Sequence, residues 1–113
     1  MEELFSIFEE MGYEYHRQGS LTDETYPDSF FTYWNIDTPN TKHRDNDVKE
    51  YSIDLMVYWY TNNASLIYSV MDEFIRQAKL KGFIVTGKAY DGNADKDNYF
   101  GRLVPVKIIH KEE

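Results

Sequence analysis

The sequence predicts an α+β domain in which an antiparallel sheet of about four strands packs with one long and one short helix, in the order α-β-β-α-β-β. Three observations predict it. Residues 64–81 repeat apolar side chains at helical spacing. Residues 29–36 and 48–60 alternate with a period of two. Polar stretches rich in Asp, Asn, Gly and Pro separate these segments. At 113 residues the chain predicts a single domain over 1–113, too short for two independent cores.

Residues 2–11 place Leu4, Phe5, Ile7, Phe8 and Met11 at helical spacing, with Gly12 as the stop. Glu2 and Glu3 suit the positive end of the helix dipole. Tyr13 to Arg17 has room for a short strand, and the rest of 13–28 reads as loop. In 29–36, Phe30, Thr32, Trp34 and Ile36 share one face, and Phe31, Tyr33 and Asn35 the other. Residues 37–47 form a polar loop, making 29–36 and 48–60 an antiparallel hairpin. In 48–60, Tyr51, Ile53, Leu55, Val57 and Trp59 point one way. Ser52, Asp54, Met56, Tyr58 and Tyr60 point the other.

The long helix carries Ile67, Val70, Met71, Phe74 and Ala78 on its apolar face. Asn63 is its expected N-cap, Asp72 and Arg76 an expected i, i+4 pair, and Gly82 its C′ residue. Two further strands are expected over 83–90 and 99–110. Pro105 cannot donate a ladder bond, which predicts an edge position or a bulge for the last strand.

Composition excludes several function classes. Lys plus Arg number 12 against 20 Asp plus Glu, for a formal net charge of -8. Phosphate binding runs on clustered cations, so a nucleic-acid reader is not expected, nor attachment to anionic lipid. With no cysteine there is no disulfide, thiolate metal site or Cys nucleophile. No apolar run approaches a membrane span, and the acidic Met1-Glu2-Glu3 start does not suit a signal peptide. Aromatics make up 17% of the chain, far more than disordered segments carry.

The chemical motifs fail on inspection. His43-Arg44-Asp45 lacks the Asn and the glycine-rich loop of a kinase. Asp91, Asn93, Asp95 and Asp97 alternate as in a calcium loop, but Lys96 stands where Gly is needed and Arg102 where a bidentate Glu is needed. A polar hairpin loop explains them as well. His16, His43 and His110 show no zinc spacing, and no Ser sits in a nucleophile elbow. Gly82 to Lys88 lacks phosphate-loop spacing, and the Asn63-Ala64-Ser65 acceptor has no signal peptide before it. No catalytic, cofactor-binding or metal-binding residue is therefore assigned, and the chain is not expected to be an enzyme.

The aromatic excess on both faces of 29–36 and 48–60 is more informative. One face packs on the long helix. The second would present Phe31, Tyr33, Met56, Tyr58 and Tyr60, residue types common at interfaces. These five are the candidate oligomer or partner interface. The competing reading is that the N-terminal helix covers them.

The run Arg17-Gln18-Gly19-Ser20, followed by Tyr26-Pro27-Asp28-Ser29-Phe30-Phe31-Thr32-Tyr33-Trp34-Asn35, carries a family resemblance. So do the polar loop, the alternating strand and the amphipathic helix ending Lys-Gly-Phe. Over about residues 10–105 the chain resembles small tail-assembly proteins of phages and prophages, similar in element order to the tail terminators of long-tailed phages. The resemblance implies a structural protein that forms a ring, six subunits in the family, on the end of the tail tube. It implies the tube protein and the head-tail connector as partners, with DNA passing through the lumen and no cofactor. It places the protein in the bacterial host cytoplasm during assembly and then at the head-proximal end of the virion tail. Acidic charge suits a wall that DNA slides past. The alternative is a small acidic inhibitory binding protein, a DNA mimic or enzyme inhibitor. A hydrolase using His43 with Asp45 or Asp47 is the weakest reading, because loop carboxylates without a supporting motif are usually solvated.

Overall fold

A computed structural model describes residues 2–19, 27–36, 50–94 and 97–111. The elements are helix α1 (Glu2–Met11), strands β1 (Glu14–Arg17), β2 (Ser29–Ile36) and β3 (Glu50–Thr61), a 3-10 turn (Ala64–Leu66), helix α2 (Ile67–Leu80), and strands β4 (Ile84–Val85), β5 (Tyr90–Gly92) and β6 (Phe100–Lys111). The sheet runs β1-β2-β3-β6-β4, with β5 also on β6.

This overturns the expected sheet. Six strands replace about four, the sheet is mixed, and the order α-β-β-α-β-β does not hold. Two physical causes account for the difference. First, β1 is a true strand and pairs parallel with β2, Tyr15 opposite Phe31. Tyr15 ties it beneath α1: its ring stacks on Phe5 at 5.0 Å and meets Phe8 at 5.2 Å, and its hydroxyl donates to Glu9 at 2.8 Å. Second, the strand expected over 83–90 is broken into β4 and β5.

Pro105 makes that break. β6 is not an edge, since β3 flanks it on one side and β4 and β5 on the other. The Pro105 carbonyl accepts from the Thr86 amide at 3.1 Å, so its backbone polar groups point away from β3. The missing N–H therefore faces the neighbouring edge, where residues 86–89 leave the ladder. The long β3–β6 pairing runs unbroken from Glu50–Lys111 to Thr61–Phe100.

Both helices lie on one face. Each ends in a paired-carbonyl cap around a left-handed glycine, Gly12 at φ +85° and Gly82 at φ +96°. After α2, the Phe83 amide reaches Ala78 O at 2.9 Å and Gly82 reaches Lys79 O at 3.2 Å. After α1, Tyr13 reaches Phe8 O at 3.3 Å and Gly12 reaches Glu9 O at 3.2 Å. Asn63 caps the 3-10 turn, accepting from Ser65 N at 3.1 Å, so α2 itself starts without a side-chain cap. Arg76 pairs with Glu73 at 2.6 Å in place of the expected Asp72.

The core is an aromatic cluster between helices and sheet. Phe31, Phe8, Phe74 and Trp59 are each fully buried. Phe31 meets Phe8 at 4.6 Å, Trp59 at 4.7 Å and Phe74 at 5.4 Å between ring centroids. Tyr13 closes edge-on against Trp59 at 4.8 Å, and the Trp59 indole donates to Leu66 O at 3.2 Å. Much of the aromatic surplus is thus internal. Among the described residues, no helix is long and apolar enough to cross a membrane.

Candidate interaction face

The register between β2 and β3 decides which side chains share a face. Phe31 pairs with Trp59 and Tyr33 with Val57, while Thr32 pairs with Tyr58 and Trp34 with Met56. Cross-strand partners point to the same side. Phe31 and Tyr33 therefore belong to the helix-covered face. Phe31 is fully buried, and Tyr33 packs against the core with its ring 5.4 Å from Phe5. Met56, Tyr58 and Tyr60 belong to the opposite face, beside Trp34, Thr32 and Phe30. The five residues expected to form one interface are split between the two sides of the sheet.

The opposite face can be read in rows across the strands. Trp34, Met56 and Pro105 form one, and Thr32, Tyr58, Leu103 and Tyr90 the next. Asp54, Lys107 and Ile84 form a third, with Ser52 and Ile109 beyond it. Both helices lie on the other side, so among the described residues no helix covers these rows. Large apolar side chains stand in the open here: Trp34 is 46% exposed, Ile84 46%, Tyr90 50% and Ile109 42%.

Local packing stiffens one end of this face. Tyr58 and Tyr60 stack at 6.0 Å with planes 7° apart, and Tyr60 tilts against Phe30 at 5.3 Å. The Tyr60 ring lies over Gly101, where an added Cβ would come within 3.1 Å of it and 3.0 Å of Gly92 O. Glycine is required there for close approach, and the tyrosine covers backbone that glycine leaves bare. Burial, with Tyr90 adding to it, pushes the Tyr58 hydroxyl above its ordinary value. Tyr99 donates to Pro27 O at 2.6 Å, pinning the start of β2 to the β6 end. Thr32, buried, donates to Gln18 at the β1 edge.

The loop after β5 has other partners. Arg102 donates to Asp91 at 2.6 Å and to Ala89 O at 3.3 Å, and its guanidinium lies 4.8 Å over the Tyr68 ring. Asp91 and Arg102, the first and twelfth positions of the abortive calcium pattern, are bound to each other. Residues 95 and 96 lie outside the described residues, as do His43, Asp45 and Asp47 of the 37–47 loop. His16 sits 3.4 Å from Glu14 at the β1 edge. A cleft of about 410 Å³ opens beside Tyr68, Asp91 and Phe100, and another of about 280 Å³ beside Tyr13, Ser69 and Glu73. Among the described residues no three His, Asp or Glu side chains group to hold a metal ion.

Sequence reasoning missed Trp34, Ile84, Leu103, Pro105 and Ile109 as members of the open face. The even-numbered residues of 29–36 are as apolar as the odd ones, so alternation alone selects no side. No known protein-family model matches the chain, and no curated protein matches it.

Proposed function

We propose that the chain is a structural assembly protein of a phage or prophage tail, the terminator that caps the tail tube as a ring and joins it to the head connector. Its work is docking, with no chemistry of its own, and DNA passes through the ring without specific binding. It acts in the host cell during assembly and stays at the head-proximal end of the tail. The observation that carries this reading is a sheet face, apolar from Trp34 through Met56 and Tyr58 to Ile109 apart from the Asp54–Lys107 row, that no helix among the described residues covers, on a strongly acidic chain. Faces of this kind mark contact surfaces for other proteins.

An acidic inhibitor that mimics DNA would need a stripe of unpaired carboxylates, and among the described residues Glu10, Glu73 and Asp91 are withdrawn from such a stripe by Lys81, Arg76 and Arg102.

The test is deletion of the gene in its phage, followed by electron microscopy of the particles. Loss of the terminator leaves tubes of uncontrolled length and unjoined heads. The wild-type gene restores whole particles, and Tyr58→Asp does not. Normal joined particles without the gene would sink the reading.

A further inference from the structure

We propose that in the free protein the open sheet face is closed by the same face of a second copy, across a two-fold axis lying along the seam between β3 and β6. This goes beyond the tail reading: it describes a resting form that the ring has to open before assembly.

The register supplies the geometry. On β3 and β6, from the Ser52–Ile109 row to the Tyr60–Gly101 row, the only charges on this face are Asp54 and Lys107. They are direct cross-strand partners, and among the described residues no ion pair joins them within the chain. A two-fold axis along the seam exchanges β3 for β6. It lays Asp54 over Lys107 of the partner subunit and Lys107 over Asp54 of the partner subunit. The same operation sets Met56 over Pro105 and Tyr58 over Leu103, bulky against less bulky in each case. An axis across the strands at that row stacks like charge on like charge, which costs binding. Charge therefore selects the orientation. It also selects the occupant. The chain carries -8, yet the β3–β6 seam at the centre of this face balances one charge of each sign, with the Arg17 guanidinium set to its β2 side, 5.6 Å over the Trp34 ring, so the seam's electrostatic match is a second seam.

Two sheets packed this way keep their strands within about 30° of each other, as in a sandwich. Four strand positions at about 4.8 Å and seven residues at about 3.4 Å give on the order of 450 Å² per copy. Roughly 900 Å² in total lies below the ~1,600 Å² of a standard stable interface. The pairing is thus reversible, as a form that has to open requires.

The experiment is sedimentation velocity on the full chain from micromolar to millimolar concentration. The wild type shows a concentration-dependent dimer. Asp54→Lys and Lys107→Asp each place two like-charge contacts across the axis, and each weakens the dimer by roughly tenfold or more. An equimolar mixture of the two variants restores a heterodimer, because each now carries the charges the other lacks. The double variant D54K/K107D also dimerises, and circular dichroism checks that every variant keeps the fold. A wild type that stays monomeric throughout overturns the pairing and leaves the tail reading to its own test. Single variants that dimerise like the wild type overturn it, as does a mixture no better than either variant alone.

Discussion

Replacing Phe31 by Ala tests the face assignment directly. If Phe31 stood on the open face, losing its ring would barely affect stability. In the structure it is fully buried and touches Phe8, Trp59 and Phe74 with centroids 4.6 to 5.4 Å away. Neighbouring rings of that size cannot collapse into the gap, so both the transfer term and the cavity term apply, for a loss of about 3–5 kcal/mol. A domain of this size holds roughly 5–15 kcal/mol in all. With a urea slope of about 1.5 kcal/mol per molar, a loss of about 4 kcal/mol lowers the midpoint by roughly 2.5 M. The assay is urea unfolding followed by Trp fluorescence at one low protein concentration, so that dimerisation does not add to the apparent stability. Tyr58→Ala is the comparator, because its ring stands half-buried on the opposite side. A Phe31→Ala midpoint within about 0.5 M of the wild type would refute the register and the aromatic core together.

Tyr58→Asp should leave the far-ultraviolet spectrum unchanged and abolish self-association in light scattering, whereas unchanged association would remove Tyr58 from the interface. Gly101→Ala should cost about 1–3 kcal/mol in urea unfolding, since the new Cβ meets Gly92 O at 3.0 Å and the Tyr60 ring at 3.1 Å. Gly82→Ala should cost about 1 kcal/mol or more, because φ +96° strains any side chain, and a neutral result would contradict the helix cap. The Lys81 ammonium, bonded to Glu10 at 3.1 Å, holds that carboxyl below its ordinary value. A depressed carboxylate stabilises above its unfolded pKa, and that contribution is lost as pH falls through the folded one. Lys81→Met should therefore raise the Glu10 titration seen by carboxyl NMR and remove its share of the stability lost in acid. An unmoved Glu10 titration would show the pair does not form in solution.

The helices were legible because their signals are local. Gly12 and Gly82 mark both ends, and the spacing of Leu4, Ile7 and Phe8, or of Ile67, Val70, Met71, Phe74 and Ala78, names the buried faces. Alternation within each strand was legible too. What alternation cannot supply is the phase between β2 and β3. Shifting one strand by a single residue exchanges its two faces, and a long polar connection does not fix the register as a two-residue turn would. Phe31 and Tyr33 were therefore grouped with Met56, Tyr58 and Tyr60, although they point the other way. β1 escaped the strand count because four residues carry little periodicity, and its place depends on Tyr15 meeting α1 across the fold. The effect of Pro105 was legible in kind and misplaced by one strand. Its missing donor interrupts the neighbouring edge and leaves β6 central.

An exposed sheet edge is a ready template for association, because its unpaired backbone groups accept another strand. Here both edges resist that. β1 is four residues long, and the opposite edge is cut at residues 86–89 into strands of two and three residues. Among the described residues, neither flanking strand presents the long, flat ladder that an added strand needs. The broad surface remains, with long β3 and β6 running side by side through its middle. Net charge works in the same direction. A chain at -8 repels its copies. In the proposed pairing, the Asp54–Lys107 row is where that repulsion is offset. In the proposed pairing, blunted edges and a charge-balanced seam together direct association to one surface, and they account for the large apolar side chains that an acidic domain keeps on the side that no helix among the described residues covers.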